Sequence, residues 1–177
     1  MRLSPKIAAA ILVLCALLFA LARTGFVGYW VRLSQPLGES PRIEFQSSGL
    51  SPVEREQFLE GDFAIVTDVK ALPAPVVKAF TEQSGSRLLM ANPGKRFEPG
   101  DVIVDPSVPR KRLIFAGVLN VKCFVHYEQG GIGHSYLIAF FDVPAGSGLK
   151  PIWRGYCAKP ARNIGDLRAK VTSGACK

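Results

Sequence analysis

Sixteen residues from Ile7 to Ala22, IAAAILVLCALLFALA, run without a charge or a break behind Arg2 and Lys6. Basic residues ahead of an uninterrupted apolar run are the layout of an export signal. The rest of the chain then has to fold on the far side of a membrane. Ala20-Leu21-Ala22 has the small-x-small form that a signal peptidase accepts, which would leave Arg23 as the new N-terminus. Apolar character resumes after Arg23 with TGFVGYWV, so that Ile7 to Val31 is 25 residues with a single charge. That is long enough to span a bilayer, and Phe26, Tyr29 and Trp30 sit where an interfacial aromatic belt lies. Leu14 before Cys15 is not the small residue that a lipoprotein signal needs. An uncleaved anchor over residues 1–31 is favoured over a removed signal, with the remainder on the periplasmic or extracellular side.

Beyond the anchor, residues 32–50, RLSQPLGESPRIEFQSSGL, are rich in Ser, Pro and Gly and read as a linker. Residues 51–177 then form one domain. Of the 177 residues 48% are hydrophobic and 20% charged, enough for a core, and no repeat at solenoid spacing runs through them.

Local signals set the elements. In SPVEREQFLE, Ser51 is an N-cap, Pro52 takes the first helical position and acids fill the first turn, so a helix runs to Glu60 and stops at Gly61. DFAIVTDVKAL, β-branched and aromatic, reads as a strand. APVVKAFTEQS reads as a second helix ending at Gly85. Residues 91–110, with four prolines and two glycines, form an extended connection with one short strand at Asp101–Val104. KRLIFAGV, VKCFVHYE, HSYLIAFFDV and PIWRGYC follow as strands with short connections, the signature of an antiparallel meander. Ile164–Val171 reads as a third helix. The expected class is α+β: a meander sheet of about four to five strands packed with two or three short helices, behind an N-terminal membrane segment.

Cysteines and charge refine the setting. Apart from Cys15 there are three, Cys123, Cys157 and Cys176. Cys123 alternates with Val121, Val125 and Tyr127 on an apolar strand face and reads as a buried small hydrophobe. Cys176 stands next to a chain end that frays unless tied down, so Cys157–Cys176 is the first choice for a disulfide. The formal charge is +8, yet residues 23–149 hold thirteen basic and thirteen acidic side chains. The excess of the exported part lies in residues 150–177, where Lys150, Arg154, Lys159, Arg162, Arg168, Lys170 and Lys177 face only Asp166. Such a segment suits an anionic lipid surface, with Arg162, Arg168 and Lys170 as the contacts. Export and the lack of interleaved aromatics argue against nucleic acid.

HYEQGGIGHSY, His126 to Tyr136, holds both histidines of the chain. Strand parity puts Val121, Cys123, Val125 and Tyr127 on one face and Lys122, Phe124, His126 and Glu128 on the other. A three-residue loop, Gly130-Gly131-Ile132, pairs Glu128 with His134 and His126 with Tyr136. That register gathers Lys122, His126, Glu128, His134, Tyr136 and Asp142 on one wetter face and leaves the apolar set on the other. Glu128 then orients His134, and His126 beside Tyr136 faces a ligand, which makes these four the candidate catalytic residues. Lys111 and its neighbours Arg110 and Arg112 either pair with Glu128 or Asp142 or form a charged edge that discourages strand addition.

No nucleophile elbow, P-loop, dinucleotide fingerprint, EF-hand or zinc spacing occurs in the sequence, so no cofactor or metal is expected. The balance falls on a non-enzymatic envelope protein, anchored through residues 7–31, whose domain binds anionic lipid or another envelope protein. The alternative is a small-ligand-binding or hydrolase-like domain using the His/Glu/Tyr cluster.

Overall fold

A computed structural model describes residues 43–45, 49–84, 90–102, 104–146 and 148–177. The proposed membrane segment 7–31 and most of the linker 32–50 lie outside them. Among the described residues no helix is long and apolar enough to cross a membrane.

Helix α1 is Pro52–Glu60. Ser51 Oγ accepts from the Glu54 backbone N–H at 3.3 Å and the Glu54 carboxylate accepts from Ser51 N–H at 2.9 Å, a complete capping box. Strand β1 is only Ala64–Val66, shorter than DFAIVTDVKAL suggested. Asp68 ends it by turning its carboxylate onto Lys70 N–H at 3.0 Å, which starts a 3-10 turn at Val69–Ala71. Helix α2 is Ala74–Ser84. Strands β2 (Lys111–Leu119), β3 (Lys122–Gln129), β4 (Ser135–Asp142) and β5 (Lys150–Cys157) follow, and α3 (Ile164–Thr172) closes the order.

The five strands form one sheet in the order β1–β2–β3–β4–β5, each neighbour antiparallel. With its three helices this is an α+β fold. Two positions depart from expectation. Residues 101, 102 and 104 form bends and not a strand. Val121 belongs to the β2–β3 turn with Asn120, whose φ of 49° is the left-handed conformation that asparagine tolerates, and its side chain is exposed.

Both faces of the sheet are covered, not one. Phe58 of α1 and Leu167 and Val171 of α3 pack on one face with Phe63, Phe115, Phe124, Ile138, Phe140 and Trp153. Val76 and Phe80 of α2 pack on the other with Leu113, Val125, Tyr127 and Phe141. The expectation of a wetter face carrying the polar set is therefore corrected. Phe124, Ile138 and Phe140 share that parity and bring α1 and α3 down upon it, because burying each such side chain is worth about 1.5–3 kcal/mol. Phe58 is the hub, its ring edge-on to Phe124 and Phe140 at 5.5 Å each and to Trp153 at 6.1 Å.

Candidate functional site

The β3–β4 hairpin sets the site. Gln129 pairs with Ser135, Glu128 with Tyr136 and His126 with Ile138, so the loop is five residues, Gly130–His134. This corrects the three-residue loop and its pairs by two positions. Because the slip is even, every side chain keeps its face. The longer loop has a tertiary cause. Gly130 N–H donates to Arg110 O at 2.8 Å and Gly131 N–H to Pro99 O at 3.3 Å. A Cβ on Gly130 would overlap Glu98 O and the Pro99 backbone, so glycine is what lets the 98–100 segment lie against the turn.

His126 leaves the expected cluster for the core. It is fully buried, with the Phe115 ring 5.4 Å away. Its Nδ1 lies 2.9 Å from Leu137 O and its Nε2 3.0 Å from Ala161 N. A carbonyl only accepts and an amide N–H only donates, so Nδ1 carries the proton and Nε2 the lone pair. Both nitrogens are used. Burial holds its pKa below the ordinary imidazole value, only partly offset by the Leu137 bond. His126 does not face a ligand; it joins β3, β4 and the segment leading to α3.

Glu128, His134 and Tyr136 do come together, around a fourth residue. Glu128 is 6% exposed. One carboxylate oxygen accepts from Arg112 Nε and the other lies 2.9 Å from His134 Nε2. Arg112 stands opposite Glu128 in the β2–β3 register, gives a further N–H to Lys95 O at 3.1 Å, and stacks on Phe97 with Cζ 4.3 Å from the ring centre. The His134 ring lies 5.7 Å from Phe97 and 4.9 Å from Tyr136. His134 turns Nε2 to that carboxylate oxygen, and its Nδ1 has no hydrogen-bond partner among the described residues. A half-exposed imidazole oriented by a buried carboxylate can take a proton from, or donate a hydrogen bond to, a molecule at the surface.

Lys122 and Asp142, the remaining members of the expected set, pair with each other at 2.6 Å at the far end of β3 and β4. Among the described residues no group of three or more His, Cys, Asp or Glu side chains is placed to hold a metal ion. Two cavities formed by described residues, of about 490 and 410 Å³, lie away from the hairpin.

The basic C-terminal residues have separate tasks. Arg168 reaches the end of α1, donating through Nε to Phe58 O at 3.2 Å and through Nη2 to Gly61 O, where helix carbonyls lack partners. Arg162 and Lys170 both pair with Asp166, at 3.3 and 3.8 Å. Arg162 N–H is the chief cause holding the Asp166 carboxyl below its usual range, with the Arg162 and Lys170 charges adding to it. Of the three, Arg162 is the one that stands in solvent.

Cys157 and Cys176 form a disulfide, and both are buried. The pairing of Tyr156 with Lys177 in both directions, at 2.7 and 3.0 Å, lays the last residues along β5. Cys123 is a free buried thiol, pushed up to about 12 by burial. Phe97 and Ala161 escaped the sequence reading: Phe97 sits in a proline-rich loop without periodicity, and Ala161 contributes only a backbone N–H. The comparisons add no relative: no protein-family model, no curated protein and no solved structure matches the chain.

Proposed function

We propose that the chain is an exported protein held at the membrane by residues 7–31, whose domain acts as a non-enzymatic interaction module on the outer side. The observation that carries the interaction role is the exposed apolar end of the sheet. Ile132, at the hairpin tip, is 99% exposed, and the segment bonded to that hairpin continues into exposed Val102 and Val104. Isolated exposed side chains are ordinary, but three on two loops joined by backbone hydrogen bonds favour a contact surface. Phe45, where the chain enters the domain, lies 5.6 Å from Phe141 at the opposite end of β4. The apolar segment behind Arg2 and Lys6 supports export, and so does a buried disulfide, which persists in oxidising compartments.

Two measurements test this. The domain should be protease-sensitive in spheroplasts, protected in whole cells, and retained in carbonate-washed membranes only when residues 7–31 are present. A photo-cross-linker at Ile132 should give a discrete adduct in cells that the same group at Val53, on α1, does not. A cytoplasmic domain, or identical products from both positions, overturns the proposal. For an anionic lipid partner, Arg162→Glu with Lys170→Glu should abolish flotation with anionic vesicles; Arg168 stays native because α1 depends on it. Flotation that salt does not weaken sinks the lipid version.

The chain Arg112–Glu128–His134 favours a second reading, a small-ligand-binding or hydrolase-like site at the hairpin. It requires that His134→Asn abolish binding or turnover without changing the unfolding midpoint.

A further inference from the structure

We propose that the cavity at the end of α3 is a binding site for a small organic carboxylate with a flat apolar body. The cavity, about 410 Å³, lies between the C-terminal turn of α3, the last residues of the chain, Trp153 of β5 and Arg55 of α1. Its volume is that of sites which enclose small molecules. Leu50, Trp153 and Val171 supply apolar walls, the nearly buried Trp153 among them being the aromatic one.

Charge selects the ligand class. Arg55 and Lys177 line the cavity, and no aspartate or glutamate does. The cavity between α2 and β5 differs: Glu44 and Glu82 line it, and its Lys78 is paired with Glu82 at 3.8 Å. Arg55 stands on the first turn of α1, its backbone N–H donating to Ser51 O at 2.8 Å, and its side chain is anchored by Nη2 donating to Val171 O at 3.4 Å. That long bond uses one of five guanidinium N–H groups, and the others have no partner among the described residues. A half-buried guanidinium with its fork unspent matches a carboxylate, which accepts two parallel N–H bonds.

The walls are fixed before any ligand arrives. The Cys157–Cys176 disulfide, the Tyr156–Lys177 pairing and the bond from Cys176 N–H to Lys170 O at 3.0 Å tie the last residues to β5 and α3. Preformed walls spare the ligand the cost of ordering them.

The test uses the full chain in a nonionic detergent, with the Trp153 indole N–H resonance, assigned through Trp30→Phe, as the readout. Phenylacetate is the probe and phenylacetamide its uncharged isostere. Phenylacetate should shift the Trp153 resonance saturably with a dissociation constant on the order of 1 mM, as befits so small a ligand. Phenylacetamide should bind about tenfold more weakly or less, and Arg55→Gln should remove the phenylacetate response. Absence of a saturable shift, equal affinity for acid and amide, or an unchanged response in Arg55→Gln overturns the proposal. Should Arg55→Gln not fold, the acid–amide comparison on the parent chain decides alone.

Discussion

A neutral imidazole in the middle of a sheet must be satisfied on both nitrogens, and His126 is, by Leu137 O on one side and Ala161 N–H on the other. Replacing it with Ala leaves that N–H buried without a partner, a loss of about 1–3 kcal/mol on top of the lost ring packing. A lowered urea midpoint should report it. The same geometry fixes a pH dependence. In the folded protein the His126 pKa lies below the unfolded value of about 6.5. As pH falls through that value the unfolded chain binds the proton first, so stability declines from about pH 6.5 downward and levels below the folded pKa. His126→Gln, which keeps a donor and an acceptor but does not titrate, should flatten the difference in midpoint between pH 7.5 and pH 5.5. An equal slope in both proteins would assign the loss to other groups. Glu128 is the second decisive side chain. Glu128→Gln removes the charge that Arg112 and His134 share, and should move the His134 ring resonances more than those of His126.

Helix α1 shows how far local chemistry can be read. Its start is written in Ser51-Pro52 and Glu54, all within one turn, and cap and first turn were legible for that reason, with Gly61 marking where the helix stops. Its end is another matter. Its carbonyls are met by Arg168, 110 residues away from Phe58, which the sequence offered as a lipid contact. Arg168→Ala should cost about 1.5–3 kcal/mol and raise amide exchange in both α1 and α3, whereas Arg162→Ala should be nearly silent. The hairpin repeats the lesson. Its faces were legible, since parity is a property of the strand alone. Its register was not, because the loop length answers to the 98–100 segment lying against Gly130. Gly130→Ala should therefore lower the thermal midpoint, while Gly133→Ala, with open space around its Cβ but a φ of 83°, should cost less.

For the molecule as a whole, the order of the last four strands followed from short connections between apolar runs, and the structure carries it unchanged, with β1, joined to β2 through α2 and a long loop, added beside β2 at the edge. The two-sided burial was hidden by the polar residues at the strand ends, Lys122, Glu128 and Asp142, which draw attention from the phenylalanines between them. Covering both faces ties the last twenty residues to the core, through the disulfide, through Leu167 and Val171, and through His126 by way of Ala161. Reducing Cys157–Cys176 should cost about 2–4 kcal/mol and loosen α3 before α2, which amide exchange resolves by element.

The thiols themselves are sorted by the sheet. Cys157 and Cys176 lie on the α1–α3 side and Cys123 on the α2 side, so a closed sheet is a wall between them. Wrong pairings with Cys123 can arise only while the meander is still open, which makes oxidation a race against strand assembly. Cys123→Ala should leave the oxidised end state unchanged while removing the mispaired species trapped when denatured, reduced protein is oxidised before it can collapse.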